Sequence, residues 1–317
     1  MARFVKVASV PFVIPDISAK PEDQHLSDFM LDVMGAQIET VLPDKPDLII
    51  LPEVCDRPKG MSKEAVCEFY TTRGSRTIDG LCQIARENHC YIAAGIARDS
   101  DNGVRYNSCV MIDRQGHVMG YYDKNFIVPT ETEDYGIQAG SDIAVFDCDF
   151  GRVGAVICFD LNFSELYAKY RDAGCDLIVF PSHFDGGHLC NIFAHETGAY
   201  FVSCYTGKQQ RAVALDPLGY QIAANTNYHP NLVVTLNLDY QICHLDKNRA
   251  KLAEAKQKYG SQFQIRDNGY IGTLVLTSES QERSCLDIVR EFDITLRSEY
   301  FAQARQHREN SLKNQGK

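Results

Sequence analysis

The sequence predicts an α/β fold in which two mixed β-sheets pack together and helices cover their outer faces. Short apolar runs alternate with amphipathic stretches, the pattern of strands connected by helices. Some strands, such as residues 48–51, are apolar at every position, which indicates sheets covered on both faces. Two hairpin turns, at residues 114–116 and 216–219, join neighbouring strands and exclude a purely parallel barrel.

Each predicted element has a local signal. The first helix has apolar residues at 26, 29, 30, 33, 34 and 38, which is helical spacing. Gly174 and Gly260 follow helical stretches at the position where glycine often ends a helix. The predicted helices span residues 26–38, 78–88, 164–173, 191–197, 245–259 and 286–305. The predicted strands span residues 4–13, 47–51, 91–97, 107–112, 118–122, 152–158, 177–180, 200–205, 212–215, 220–223, 233–238 and 272–277.

Composition and charge exclude several classes of protein. The 317 residues are 44% hydrophobic and 23% charged, so the chain can bury a sizeable core. The net charge of -10, with no basic cluster longer than residues 247–251, argues against nucleic acid as a partner. No apolar run approaches the roughly 20 residues that span a bilayer, so we expect no membrane partner.

The cysteines indicate a reducing compartment. All twelve are scattered and no C-x-x-C pair occurs, unlike the disulfide scaffolds of short secreted proteins. The first residues contain Arg3, Lys6 and Asp16 and do not resemble a signal peptide. We therefore expect a cytoplasmic protein in which most cysteines are small core residues.

Three apolar strands each deliver a reactive side chain at or just past the C-terminal end: Glu53, Lys124 and Cys158. In α/β sheets, functional residues usually lie at the C-terminal ends of strands, because the loops there line a crevice. Taken singly, the three residues would be a capping carboxylate, a solvated ammonium and an inert core thiol. Together they predict a nucleophilic site, where the carboxylate accepts the thiol proton and the ammonium stabilises developing charge.

The residues around these three positions resemble the nitrilase superfamily of carbon–nitrogen hydrolases. The signature blocks are Leu51-Pro52-Glu53, Tyr122-Asp123-Lys124 and residues 151–160, and shorter similarities occur at 163–166, 180–182, 198–200 and 216–219. The resemblance spans roughly residues 4–260. It implies a four-layer α-β-β-α sandwich, usually paired into a dimer.

The resemblance also implies catalytic roles. Cys158 would be the nucleophile, Glu53 the general base and Lys124 the group that stabilises the tetrahedral intermediate, together with the backbone N–H of Phe159. A second carboxylate would position Lys124. Both Glu131 and Glu133 are candidates, and the distance to Gly140 favours Glu133, which leaves Glu131 as a loop residue. This chemistry needs no metal and no cofactor.

Departures from the family pattern affect the expected substrate. The run Cys158-Phe159-Asp160 is closer to amidases and carbamoyl-amide hydrolases than to nitrile hydrolases, and the chain has no Trp. The predicted partner is thus a small linear amide or N-carbamoyl amine. The expected substrate-binding residues are Phe159, Asp160, His183 and Phe184.

Alternative interpretations are open for the histidines, for Cys190 and for the reaction at the Glu-Lys-Cys site. His183, His188 and His195 with Cys190 invite a metal site, but their spacing is not that of compact zinc sites. A protease-like use of Cys190 lacks a visible base-orienting context. The same Glu-Lys-Cys site would also serve an acyltransferase or a nitrile hydrolase, and a catalytically idle member would act as a binding or scaffold protein.

The sequence also predicts how the chain is divided. Residues 1–268 would form the catalytic domain and residues 269–317 a C-terminal extension. The apolar residues of 269–305 would need a partner surface, so we expect this segment to pack across a subunit interface of a homodimer or larger homo-oligomer.

Overall fold

The structure, a computed structural model, describes residues 1–206 and 211–315. Their strands are β1 (Phe4–Ser9), β2 (Leu48–Ile50), β3 (Tyr91–Asp99), β4 (Arg105–Ile112), β5 (Val118–Asp123), β6 (Val145–Cys148), β7 (Gly151–Ala155), β8 (Leu177–Ser182), β9 (Tyr200–Tyr205), β10 (Val213–Leu215), β11 (Gln221–Ala224), β12 (Leu232–Asn237), β13 (Tyr240–His244), β14 (Phe263–Arg266) and β15 (Thr273–Ser278). Their helices are α1 (Leu26–Glu39), α2 (Lys63–Thr72), α3 (Arg76–Asn88), α4 (Pro129–Tyr135), α5 (Glu165–Ala173), α6 (His188–Thr197), α7 (Arg249–Tyr259), α8 (Cys285–Glu291) and α9 (Arg297–Gln315).

The chain divides into two units. The larger one comprises Val5–Thr235, and the smaller one comprises Met1–Phe4 with Leu236–Lys317. Residues 236–268 thus group with the smaller unit, and the predicted extent of the catalytic domain, residues 1–268, stays a prediction. The physical reason is that β13, α7 and β14 share one apolar core with β15 and α8.

Two six-stranded mixed sheets form the larger unit. Their strand orders are β12-β1-β2-β3-β4-β5 and β11-β10-β9-β8-β7-β6. In the first sheet β1, β2 and β3 are parallel, and β4 and β5 extend it as antiparallel hairpins. The second sheet has parallel β7, β8 and β9, with antiparallel strands at both edges.

Helices cover the outer face of each sheet. Apolar residues of α1 and α3, including Met30 and Leu81, pack on the first sheet. Those of α5 and α6, including Tyr170 and Phe193, pack on the second. The inner faces meet: Ser9 Oγ donates to the Ser203 carbonyl at 2.7 Å. The predicted four-layer α-β-β-α sandwich is confirmed.

The smaller unit has its own three-stranded antiparallel sheet, in the order β13-β15-β14. Leu274 and Leu276 of β15 and Ile288 of α8 are buried in its core. The prediction that the apolar residues of 269–305 need a partner surface is thus wrong for β15 and α8. The predicted helix 286–305 is also two helices, α8 and α9, and Asp293 between them has a left-handed φ of 50°.

The remaining differences concern short elements. α2, α4, β6, β13 and β14 were not predicted, because each is too short or too polar for a clear apolar period. Residues 156–158 are not part of β7, since a 3₁₀ turn begins at Cys158. All twelve cysteines are free thiols. Within 1–206 and 211–315, no helix combines the length and apolar character needed to cross a membrane.

Candidate active site

Glu53 lies in the loop that follows β2 and is 2% exposed. The next residue, Val54, has a left-handed φ of 46°, which is unusual for a β-branched side chain. Gly95 of β3 allows this loop to approach, because a Cβ there would lie 2.5 Å from the Glu53 Cα. The backbone is thus held in a strained path that turns the carboxylate inward.

Lys124 follows β5 directly and is 1% exposed. Its N–H donates to the Asn107 carbonyl at 2.8 Å, which extends the β4–β5 pairing by one residue. The ammonium Nζ lies 2.9 Å from Glu53 Oε1 and 2.8 Å from Glu131 Oε2. The structure therefore brings Glu53 and Lys124 into direct contact.

Glu131, and not the predicted Glu133, is the second carboxylate beside Lys124. Glu131 lies in the first turn of α4, where its Oε2 also accepts the Val128 N–H at 2.8 Å. Glu133 is exposed. Two residues rotate a helix by roughly 200°, so Glu133 points away when Glu131 points inward. The number of residues that separate each glutamate from Gly140 could not show which side of the helix that glutamate occupies.

Asn107 of β4 completes the cluster and was missed in the sequence. It is 1% exposed, and its Nδ2 donates to Glu53 Oε1 and to Glu131 Oε1, both at 2.8 Å. The amide and the Lys124 ammonium together separate two buried carboxylates that would otherwise repel each other. No local signal marked this residue, because Asn107 lies between other polar residues, Arg105 and Ser108, at the start of β4.

Cys158 occupies a sharp turn after β7 with a left-handed φ of 47°. Asp160 fixes this turn: its Oδ2 accepts the Ile157 N–H at 2.9 Å and the Tyr122 hydroxyl at 2.8 Å. Its Oδ1 accepts the Phe126 N–H at 2.9 Å. Burial raises the Asp160 pKa to about 6, against these hydrogen bonds. Asp160 is fully buried and its carboxylate oxygens are engaged by these groups, so the structure shows it holding the turn that carries Cys158, and its contact with substrate stays a prediction.

The thiol of Cys158 lies near enough to Glu53 and Lys124 for both charges to affect its pKa. Burial and the neighbouring Glu53 charge raise its pKa to about 12. The Lys124 ammonium, the Ser182 hydroxyl and the His183 N–H oppose this rise. Burial would also raise the Glu53 pKa, but Lys124 and the hydrogen bonds outweigh it and hold this pKa below the ordinary value. At neutral pH the resting site therefore contains a neutral thiol next to a carboxylate.

The other predicted binding residues surround this centre. The His183 N–H donates to Glu53 Oε2 at 3.0 Å, and burial lowers the pKa of its imidazole, which is therefore neutral at pH 7. Phe159 is 37% exposed and packs edge-on against Phe163. Phe184 is 74% exposed. Their contacts with substrate stay predictions.

The remaining candidates do not form a second centre. In the part of the chain that the structure describes, no group of three or more His, Cys, Asp or Glu side chains could hold a metal ion. Cys190 is buried on α6, and its Sγ lies 3.3 Å from the Asp185 carbonyl oxygen. The described site can deliver a nucleophile, a base and a cation, all from this chain.

Comparison with known proteins identifies the family of the chain. Residues 30–233 match the carbon–nitrogen hydrolase family. Omega-amidase NIT2-B of Xenopus laevis is 27% identical over 245 residues, covering 70% of this chain and 84% of that protein. Omega-amidase NIT2 of Homo sapiens is 29% identical over 145 residues, covering 44% of this chain and 52% of that protein. The chain thus matches about half the length of the human relative.

The fold has solved counterparts. Nit3 of Saccharomyces cerevisiae, a member of branch 10 of the nitrilase superfamily, superposes with a TM-score of 0.63 at 20% identity, covering 74% of this chain and 90% of that chain. This likeness concerns the fold, and the family match covers most of the larger unit. The chain belongs to the carbon–nitrogen hydrolase family.

Proposed function

We propose that this protein hydrolyses the C–N bond of a small linear amide through a thioester on Cys158. The contacts of Lys124 with Glu53 and Glu131, at 2.9 and 2.8 Å, are the observation that carries the proposal. They set a buried ammonium beside a carboxylate that remains ionised next to a protonated thiol. The similarity to omega-amidases supports an amide rather than a nitrile as substrate.

The proposed reaction uses Glu53 as a proton shuttle. Glu53 takes the thiol proton as the Cys158 sulfur bonds to the amide carbon, and the carbonyl electron pair moves onto oxygen. The Lys124 ammonium and the backbone N–H of Phe159 stabilise this oxyanion, where one donor typically contributes about 3 kcal/mol. The C–N bond then breaks, and Glu53 returns the proton to the leaving nitrogen.

Water completes the cycle. Glu53 accepts a proton from water as the hydroxide oxygen bonds to the thioester carbon. The sulfur leaves and is reprotonated, which releases the carboxylic acid and restores the thiol. Glu131 holds Lys124 in place throughout, and Asn107 holds Glu53, since these pairs are hydrogen-bonded and Asn107 also donates to Glu131.

The direct test is Cys158→Ser, assayed by ammonia release from a panel of amides, carbamoyl amino acids and nitriles. We expect a fall in kcat/KM of about 10³-fold or more, because removal of a catalytic nucleophile removes the whole acylation route. Cys148→Ser is the matched control, since Cys148 is a half-buried thiol on the edge strand β6. Full turnover by the Cys158 variant on any accepted substrate would refute the proposal.

We also propose that the chain self-associates through α9. This helix has 19 residues, and none of them is buried. Most helical stability in proteins comes from packing of an apolar face, and Phe301 and Leu312 on α9 are 40% and 49% exposed. Deletion of residues 297–317 is expected to lower the mass measured by light scattering. An unchanged oligomeric state after this deletion would refute the assignment.

A further inference from the structure

A guanidinium lies beside the candidate active site without an acidic partner. Arg57 belongs to the same loop as Glu53 and is half-buried. Its Nη1 donates to the Tyr70 hydroxyl at 3.0 Å. Its Cζ lies 4.9 Å from the centroid of the Tyr135 ring. Tyr135 follows Glu131 by one turn of α4, so Arg57 packs on the helix that supplies the second carboxylate.

Three arginines surround the same aromatic ring. The Cζ atoms of Arg57, Arg73 and Arg105 lie 5.9, 5.1 and 5.2 Å from the centroid of Tyr70. Three cations around one ring repel each other unless anions compensate them. The charge balance of each arginine therefore shows which of them is available to a ligand.

Two of the three are compensated within the protein. Arg73 forms an ion pair with the buried Asp56. Arg105 pairs with Asp99 through two hydrogen bonds, at 2.7 and 3.0 Å. Arg57 has no Asp or Glu within ion-pair distance among the described residues, and its partners are a hydroxyl and two rings. A half-buried guanidinium with free N–H groups is suited to bidentate binding of a carboxylate.

The positive charge of Arg57 affects the imidazole of His183, which lies at the candidate active site. Burial lowers the pKa of His183, and the positive charge of Arg57 lowers it further. The backbone N–H of His183 in turn holds Glu53. Glu53 and Glu131 carry two negative charges against the single positive charge of Lys124, so a second cation beside the site would favour binding of an anionic substrate.

We propose that Arg57 binds a carboxylate on the substrate, at the end opposite the scissile amide. This inference rests on the proposed amide hydrolysis and narrows its substrates to amides that carry a carboxylate. Arg57 would then determine specificity and would not take part in bond breaking. Two chemical sources fit: monoamides of dicarboxylic acids and N-carbamoyl amino acids.

Binding can be measured without turnover in the Cys158→Ala protein. Glutaramate is compared with pentanamide, and N-carbamoyl-β-alanine with N-propylurea, because each pair differs by a carboxylate in place of a methyl group. Titration calorimetry is expected to show binding about 10- to 100-fold tighter for at least one carboxylate, the range of a charge-assisted hydrogen bond. The pair in which the carboxylate binds more tightly shows whether the substrate is a monoamide of a dicarboxylic acid or an N-carbamoyl amino acid.

Arg57→Gln in the Cys158→Ala background is expected to abolish that preference and to leave the affinity for the neutral amide within about 2-fold, because only the carboxylate contact is lost. Arg57→Lys should restore part of it, since a single ammonium cannot form the bidentate fork. Lys59→Gln is the matched control: Lys59 is an exposed cation two residues away, and its loss should change neither affinity.

The outcomes separate the two proposals. Equal affinity for charged and neutral partners in both pairs, or a preference that survives Arg57→Gln, would overturn the role of Arg57, whatever the turnover. A preference that is lost in Arg57→Gln supports it even if the Cys158 protein hydrolyses neither amide, in which case the proposed function alone fails. Thermal melting of each variant confirms that the protein remains folded.

Discussion

Replacement of Glu53 by Gln is expected to lower kcat/KM by about 10²- to 10⁴-fold, the usual contribution of a general base. Gln keeps the shape and one oxygen for Lys124 and Asn107, so the cluster can still assemble, but it cannot accept the Cys158 proton. The loss should be large because the thiol does not ionise by itself, its pKa being raised to about 12 by burial and by Glu53.

The pH profile gives a second readout of the same variant. In the unmodified protein, Lys124 and the hydrogen bonds hold the Glu53 pKa below its ordinary value of 4.5 despite burial. Activity should therefore persist to below pH 4.5 and fall as Glu53 becomes protonated. The residual activity of Glu53→Gln should lack this acid limb, as measured by kcat/KM from pH 9 down to about pH 3, below the ordinary Glu pKa.

Glu133→Gln is the matched control for this experiment. Glu133 is exposed and lies two residues from Glu131, so removal of its charge should leave kcat/KM and the acid limb unchanged. A Glu53→Gln protein that keeps more than about a tenth of the original kcat/KM would contradict a general-base role, since that role is worth at least about 10²-fold.

Replacement of Lys124 by Met is expected to destabilise the protein by about 3–5 kcal/mol at pH 7, the usual cost of removing one partner of a buried ion pair. Met fills a similar volume, so the effect would come from charge. Glu53 and Glu131 would be left to face each other, separated only by the Asn107 amide that contacts both. Denaturant unfolding measures this loss, and turnover should disappear as well.

The pH dependence of stability should reverse in this variant. In the unmodified protein the Glu53 pKa is lowered, so its contribution to stability is present above pH 4.5 and is lost as pH falls through the folded-state pKa. Without Lys124, burial would raise the Glu53 pKa above its unfolded value. The folded state would then bind protons more readily than the unfolded state, and stability would increase from pH 7 to pH 5.

Lys63→Met provides the comparison for the buried lysine. Lys63 pairs with Asp134 of α4, but its side chain is 61% exposed, so its loss should leave the free energy of unfolding nearly unchanged. If Lys124→Met lost no more than this control, or became less stable toward pH 5, the buried cluster would not have the energetics proposed for it.

The sequence could predict the strand ends that carry Glu53, Lys124 and Cys158, because apolar strands and the polar residues that follow them are local features. It could not predict the roles of Asp160 and Glu131. A carboxylate beside a nucleophile can point toward substrate or back toward the strand, and only the contacts of Asp160 with Tyr122 and Phe126 decide between them.

Residues that act across the fold were the ones that sequence patterns missed. Asn107 lies within a strand, and its importance comes from two carboxylates on other segments. Arg57 is one of several arginines in the chain, and its lack of an acidic partner depends on where Asp56 and Asp99 lie. By contrast, residues 151–160 around Cys158 are sufficient to suggest the family, and the family in turn predicts the fold.

The proposed reaction depends on residues from both β-sheets of the sandwich. One sheet supplies the base and the cation, through β2 and β5, and the other supplies the sulfur, through β7. The contacts that hold them in alignment include Ser9 with Ser203, and Tyr122 with Asp160. A small slip of one layer over the other would separate sulfur from carboxylate with every strand still intact. Substitutions at the contacts between the two sheets are therefore expected to lower activity without unfolding the protein.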